Sequence, residues 1–197
     1  MKIYSKFEYK SMLRFQETKD SFLFPLVKIL LHLNISANSV SVFSGLVAVF
    51  SLFFSVLSNI PLIFIIGILF HLFLDGLDGS IARLSGKKLS ANGLLFDLIF
   101  DSMGIVMVGL YVLYFNYVSM LAAITFIITY LGVNIISYIF AKTNQEYDFV
   151  IRPRIFVLVA IVIDYVFRYS TTPLIFLISN TLMAIFILIG IKKLYKL

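Results

Sequence analysis

HLFLDGLDGSIARLSGKKLSANGLLFDLIFDSMG, His71 to Gly104, holds four of the ten acidic residues of the chain: Asp75, Asp78, Asp97 and Asp101. Apolar runs surround all four. Ionisable groups at membrane depth are costly and persist mainly where they line a cavity, bind an ion or run chemistry. The stretch therefore reads as a functional site set in hydrocarbon-like sequence.

The rest of the chain agrees with that setting. Of 197 residues, 61% are hydrophobic, 16% aromatic and 13% charged, and the mean hydropathy is +1.03. A single soluble core of this size does not bury so much apolar surface, so the chain reads as an all-α integral membrane protein. Six stretches approach the roughly 20 apolar residues that cross a bilayer: Ser39–Leu57, Pro61–Leu84, Ala91–Tyr114, Val118–Ala141, Pro153–Arg168 and Thr172–Lys192. SFLFPLVKILLHL, Ser21–Leu33, is too short to span and carries Lys28 and His32; it reads as an amphipathic helix lying in the interface. The expected architecture is thus an N-terminal amphipathic interfacial helix followed by six transmembrane helices. It forms a single domain, with a juxtamembrane segment at 1–36 and a bundle at 37–197. The start of the chain mixes aromatics with charge and does not read as a cleaved signal peptide. There is no cysteine, which removes disulfides and thiolate chemistry from consideration.

Basic residues orient the bundle. Of sixteen Lys and Arg, six precede the first span, three (Arg83, Lys87, Lys88) lie at the junction of spans two and three, three (Lys142, Arg152, Arg154) at the junction of four and five, and three at the C-terminal end; only Arg168 falls on the other side. The excess marks the cytoplasmic face, so both termini and the Lys87-Lys88 turn are expected there, in a multi-pass protein of the plasma membrane. The net charge of +6 is then topology plus attraction for anionic lipids and substrates, and nucleic acid is not an expected partner.

Spans two and three form a hairpin, which gives the aspartates a geometry. Asp78 and Asp97 lie nearly equally far from the turn, and so do Asp75 and Asp101. Spacings of i, i+3 on one helix and i, i+4 on the other put each pair on one face. At about 1.5 Å per residue, both levels fall roughly 10–20 Å in from the turn. Four converging carboxylates repel one another unless a cation intervenes, and hard divalent ions with oxygen ligands suit them, as in two-metal phosphoryl chemistry. Gly76, Gly79, Ser80, Ala82, Gly93 and Gly104 leave room for a ligand, and Arg83 adds a donor fork suited to phosphate.

DGLDGSIAR followed by GLLFDLIFD resembles the signature of the CDP-alcohol phosphatidyltransferase family, D-x-x-D-G-x-x-A-R then G-x-x-x-D-x-x-x-D, with Asp75, Asp78, Gly79, Ala82, Arg83, Gly93, Asp97 and Asp101 filling its fixed positions. SANSVS, Ser36–Ser41, is similar to the family's T-P-N-x-x-T element, with Ala37 in place of the proline. The resemblance implies transfer of a phosphatidyl-type group from a CDP-linked lipid to an alcohol, with release of CMP. It implies two divalent cations, Mg²⁺ or Mn²⁺, on Asp75, Asp78, Asp97 and Asp101, and Asp101 also as the base that takes the acceptor's proton. Gly79, Ala82, Arg83, Gly93 and Asn38 become candidates for the nucleotide pocket, and a homodimer is implied.

The acceptor is less legible. Arg152-Pro153-Arg154 opens span five on the cytoplasmic side. Two guanidiniums at a helix start suit a phosphorylated polyol such as inositol phosphate or glycerol phosphate, and they equally satisfy the positive-inside rule. Ser102 stands where an inositol-phosphate subgroup often has arginine. Three other readings compete with the transferase. A small cation carrier does not require the Gly, Ala and Arg positions. A catalytically degenerate lipid- or nucleotide-binding relative is expected to have lost an aspartate, and membrane prenyltransferases resemble a larger bundle with two separated acidic motifs. Two further expectations are structural: His71 packs in a hydrogen-bonded site one turn before Asp75, and Asp164 pairs with Arg168 at i, i+4.

Overall fold

Asparagine ends three of the helices. In a computed structural model, which describes residues 6–85, 91–143 and 153–195 with the side chains of 6–12, 91–97 and 141 excepted, Asn34, Asn59 and Asn116 adopt left-handed φ values of 57°, 54° and 58°. Apart from glycine, asparagine is the residue that most readily takes this conformation at a helix end. The next N–H then reaches back across the turn: Ile35 N to Leu30 O at 2.9 Å, Ile60 N to Ser55 O at 3.1 Å, and Tyr117 N to Val112 O at 2.9 Å. These ends delimit α1 (Lys6–His32), α2 (Ala37–Ser58) and α4 (Ala91–Tyr114), which are joined by α3 (Pro61–Leu84), α5 (Met120–Thr143), α6 (Arg154–Phe167) and α7 (Thr172–Leu194). Starts are equally local. Ser36 Oγ accepts from the Ser39 N–H at 3.1 Å to cap α2. α3 and α7 each carry a proline in the first turn, where its missing N–H is not needed.

α3 and α4 coincide with the expected spans, and α2, α5, α6 and α7 differ from theirs by no more than two residues at either end. The larger departure is α1, which begins at Lys6 rather than Ser21. KFEYKSMLRFQETKD is rich in Lys, Glu, Met, Leu, Arg and Gln, all good helix formers. Four helical segments are long and apolar enough to cross a membrane: Ala37–Ser58, Pro61–Leu84, Met120–Phe140 and Thr172–Leu194. Leu98–Tyr114 is a shorter apolar stretch. α6 has 14 residues, about 21 Å at 1.5 Å per residue, against a hydrocarbon core of about 30 Å. Phe50, Phe53, Phe54 and Leu57 of α2 and Leu174, Leu177 and Leu188 of α7 stay exposed, which suits helices solvated by lipid.

Contacts group the described residues into two units, one within 10–107 and the other 6–9 with those of 108–195. In the first, α2 and α3 pack backbone to backbone at Gly67, where an added Cβ would lie 2.1 Å from Ser51 Cβ. Overpacking of this kind costs about 1–3 kcal/mol. Gly67→Leu is therefore expected to lower the thermal unfolding midpoint of the detergent-solubilised protein by several degrees, read by intrinsic fluorescence or size exclusion after heating. α1 docks on the same hairpin. Leu23 and Val27, one turn apart, bury against Val40 of α2 and Leu74, Leu77 and Ile81 of α3.

In the second unit α5 and α7 interlock through Phe126 and Phe176, whose ring centroids are 4.4 Å apart. Gly132 and Gly190 admit Ile187 and Ile136 at close range. The expected Asp164–Arg168 ion pair is not formed. Asp164 Oδ1 instead accepts from the N–H and the hydroxyl of Thr171, both at 2.7 Å, and Oδ2 from the Thr172 N–H at 2.8 Å. The cause is the turn: Arg168 closes α6 with φ of 59°, which brings the first N–H groups of α7 back over the end of α6. The carboxylate thus caps the positive end of the next helix.

Candidate active site

Asp78 is 4% exposed, and its Oδ2 accepts a hydrogen bond from Ser41 Oγ of α2 at 2.5 Å. Two turns earlier on α3, His71 is 2% exposed and pairs with Ser44. Its Nδ1 lies 2.7 Å from Ser44 Oγ and 3.1 Å from Ser44 O, and the Ser44 hydroxyl donates to His71 O at 2.9 Å. The packed, hydrogen-bonded histidine expected from sequence is what occurs.

The opposite edge of the His71 ring lies against α4. A Cβ on Gly104 would sit 2.2 Å from His71 Nε2, and one on Gly45 would sit 2.6 Å from Phe100 Cδ1. α2, α3 and α4 therefore touch at one level, through Ser44-Gly45, His71 and Phe100–Gly104, and these contacts fix their register. From the His71–Gly104 contact, four residues along α3 reach Asp75 and three back along α4 reach Asp101. Seven on each helix reach Asp78 and Asp97. At about 1.5 Å per residue, the two pairs fall at two matched levels, roughly 5 and 10 Å from the contact. Asp75 and Asp101 are half-buried. The side chains of Asp97 and Gly93 lie outside the described residues, so the place of Asp97 rests on helix register alone.

The end of α3 carries a second set of charges. Arg83 donates from Nε to Asp20 Oδ2 and from Nη2 to Asp20 Oδ1, each at 2.7 Å, and Ser80 Oγ donates to Asp20 Oδ1 at 2.6 Å. The Arg83 hydrogen bonds hold the Asp20 carboxyl below the usual carboxylate range, against the opposing effect of burial. Beside it, Lys19 Nζ donates to Gly76 O at 2.9 Å. Burial first and Arg83 second lower the pKa of Lys19, and Asp20, Asp75 and Asp78 pull it the other way.

The sequence model of the CDP-alcohol phosphatidyltransferases matches residues 34–191. The chain belongs to the CDP-alcohol phosphatidyltransferase family. No curated protein and no solved structure matches it. The family's reaction is transfer of a phosphatidyl group from a CDP-alcohol to an alcohol, and its members generally depend on divalent cations.

The residues of this family member suit such ions in chemistry. Asp78 is a buried carboxylate with a neutral hydroxyl on one oxygen, and further carboxylates stand on the facing helix at matched depth, all hard oxygen donors. Among the described residues no three His, Asp or Glu side chains are grouped closely enough to hold a metal, and Asp97 is outside that set.

The remaining predicted residues fall as follows. Gly79 and Ala82 line the same end of α3 as Arg83, partly buried, and Asn38 is exposed in the first turn of α2. Arg154 is the first residue of α6, with Pro153 one position earlier, at the N-cap rather than the first helical position. Arg152 lies outside the described residues. Ser102 is buried and bonds its own helix at Leu98 O, 2.6 Å away. Sequence reasoning missed Ser41, Lys19 and Asp20. Ser41 had a signal, since it fills the closing hydroxyl position of SANSVS. Lys19 and Asp20 had none, because they precede the matched region and meet α3 only through the docking of α1.

Proposed function

We propose that this chain transfers a phosphatidyl-type group from a CDP-linked lipid, CDP-diacylglycerol or CDP-archaeol, to the hydroxyl of a small alcohol, releasing CMP. One observation carries the reading: all eight motif positions are filled, and the His71–Gly104 contact sets the two halves of the motif in register. Asp75, Asp78, Asp97 and Asp101 are the ligands for two Mg²⁺ or Mn²⁺ ions, which when bound would stabilise charge on the transferring phosphoryl group and the departing CMP. Ser41 orients the Asp78 carboxylate. Asp101 takes the proton from the acceptor hydroxyl. The acceptor oxygen then forms its bond to the lipid-side phosphorus as the bond from that phosphorus to CMP breaks. Gly79, Ala82, Arg83, Gly93 and Asn38 shape the nucleotide pocket, and Arg152 and Arg154 read a phosphate on the acceptor.

In the same reading the chain is one membrane domain that crosses the bilayer six times, with α1 in the interface and both termini cytoplasmic. The short α6 crosses with help from Arg168 at its end, whose long side chain reaches the headgroups. A site opening to the cytoplasm admits the lipid donor from the bilayer and the acceptor from water, and the family resemblance pairs two copies as a homodimer. The test is CMP release from either donor with glycerol 3-phosphate, inositol 1-phosphate, inositol or serine as acceptor. Release with a phosphorylated acceptor, reduced by Arg154→Gln, supports the whole assignment. Release only with an unphosphorylated one removes the acceptor role from Arg152 and Arg154.

A further inference from the structure

Two cations are held side by side over the glycines of α3, and both have donors to spare. Lys19 Nζ gives one N–H to Gly76 O, and its other two have no protein acceptor among the described residues. Arg83 spends Nε and Nη2 on Asp20, with Nη2 also 3.3 Å from Ser80 Oγ. Its Nη1 group likewise has no acceptor among the described residues. The open donors flank a floor without side chains: a Cβ at Gly76 would be 3.8 Å from Lys19 Nζ, and one at Gly79 would be 3.3 Å from Arg83 Nη1. Gly76 and Gly79 stand at i, i+3, on one face of α3. Asp20 offsets one of the two positive charges through its ion pair with Arg83, but both its oxygens are taken by Arg83 and Ser80, so it does not fill the open donors of Lys19 or of Arg83 Nη1. A phosphate there would bring acceptor oxygens to both sets of open donors.

We infer that Lys19 is a donor-binding residue, its ammonium contacting the diphosphate of the CDP-linked lipid over Gly76 and Gly79 together with Arg83 Nη1, and that Asp20 is the positioning residue that aims Arg83. The inference rests on the proposed donor and extends it to α1, which lies outside the matched residues 34–191. It also gives α1 a task beyond anchoring. Leu23 and Val27 seat the helix on α3, so the phosphate contact is delivered by a segment that reaches the site from the amphipathic N-terminus.

The test is equilibrium binding of CDP-diacylglycerol and CDP-archaeol to the full chain in nanodiscs, with no requirement for turnover. Lys19→Gln keeps an N–H for Gly76 O and removes only the charge. It is expected to weaken binding roughly 10- to 100-fold, the range for loss of a hydrogen bond between charged partners, and to flatten its dependence on ionic strength. Lys19→Arg is expected to bind within a few-fold of the wild type, and Asp20→Asn to weaken binding several-fold. Wild-type affinity and salt dependence in Lys19→Gln would overturn the inference, and so would failure of the wild type to bind either donor. A wild type that binds, with Lys19→Gln impaired as described, supports the inference even if no acceptor is ever turned over; that result would count against the proposed reaction alone.

Discussion

Asp78→Asn is expected to lower metal-dependent CMP release from a CDP-linked lipid about a thousandfold or more while leaving the protein folded. The substitution is nearly isosteric, and the Asn Oδ1 still accepts the Ser41 hydroxyl that Asp78 Oδ2 accepts in the native protein. A buried polar group thus keeps its partner, and unfolding is not the expected outcome. What disappears is a negative charge in a buried position. Bound divalent ions are worth several kcal/mol of transition-state stabilisation, and each 1.4 kcal/mol or so is a factor of ten in rate. Ser41→Ala supplies the contrast. It leaves the carboxylate in place and removes what orients it, for which a loss of about 10- to 100-fold in metal affinity or activity is expected. Steady-state CMP release across a Mg²⁺ titration separates the two: the serine variant is rescued by added metal and the asparagine variant is not. Equal losses in both variants would contradict distinct roles for the two residues.

Asp101→Asn is expected to reduce kcat by at least roughly 10²- to 10⁴-fold, the range for removal of a general base, with added Mg²⁺ restoring only the part of the loss that comes from its role as a metal ligand. Asp101 is half-buried on the face of α4 that meets His71 through Gly104, so the change leaves the three-helix contact intact. Raising the pH should speed the variant more than the wild type, because a deprotonated acceptor no longer needs the base. Rates with unaltered pH dependence and a raised donor KM would assign Asp101 to donor binding and remove it from proton transfer.

The sequence was most informative where physical signals are local. Long apolar runs located the six helices after α1 to within a few residues, and Pro61 and Pro173 in first turns and Ser36 as a cap fix the starts of α3, α7 and α2 in the structure. Equal distances from one turn imply equal depths on antiparallel helices, and the His71–Gly104 contact is consistent with that count for Asp75 and Asp101. Three features escaped. The helix ends at Asn34, Asn59 and Asn116 had a usable signal, since asparagine tolerates left-handed backbone. The Asp164 cap did not, because i, i+4 spacing to Arg168 favoured an ion pair that the chain reversal at Arg168 redirected to Thr171 and Thr172. The contacts of Lys19 and Asp20 with Gly76, Ser80 and Arg83 span about sixty residues of sequence. Only tertiary docking creates them, and no pattern along one helix encodes it.

The decisive measurement is exchange of labelled CMP into CDP-diacylglycerol or CDP-archaeol by the purified protein, with Mg²⁺ or Mn²⁺ and then with a chelator. Metal-dependent transfer through CMP gives label in the lipid with either metal, none after chelation, and recovery when metal is restored. No exchange into either donor by a sample shown to be folded, or exchange unchanged by chelation, would contradict it.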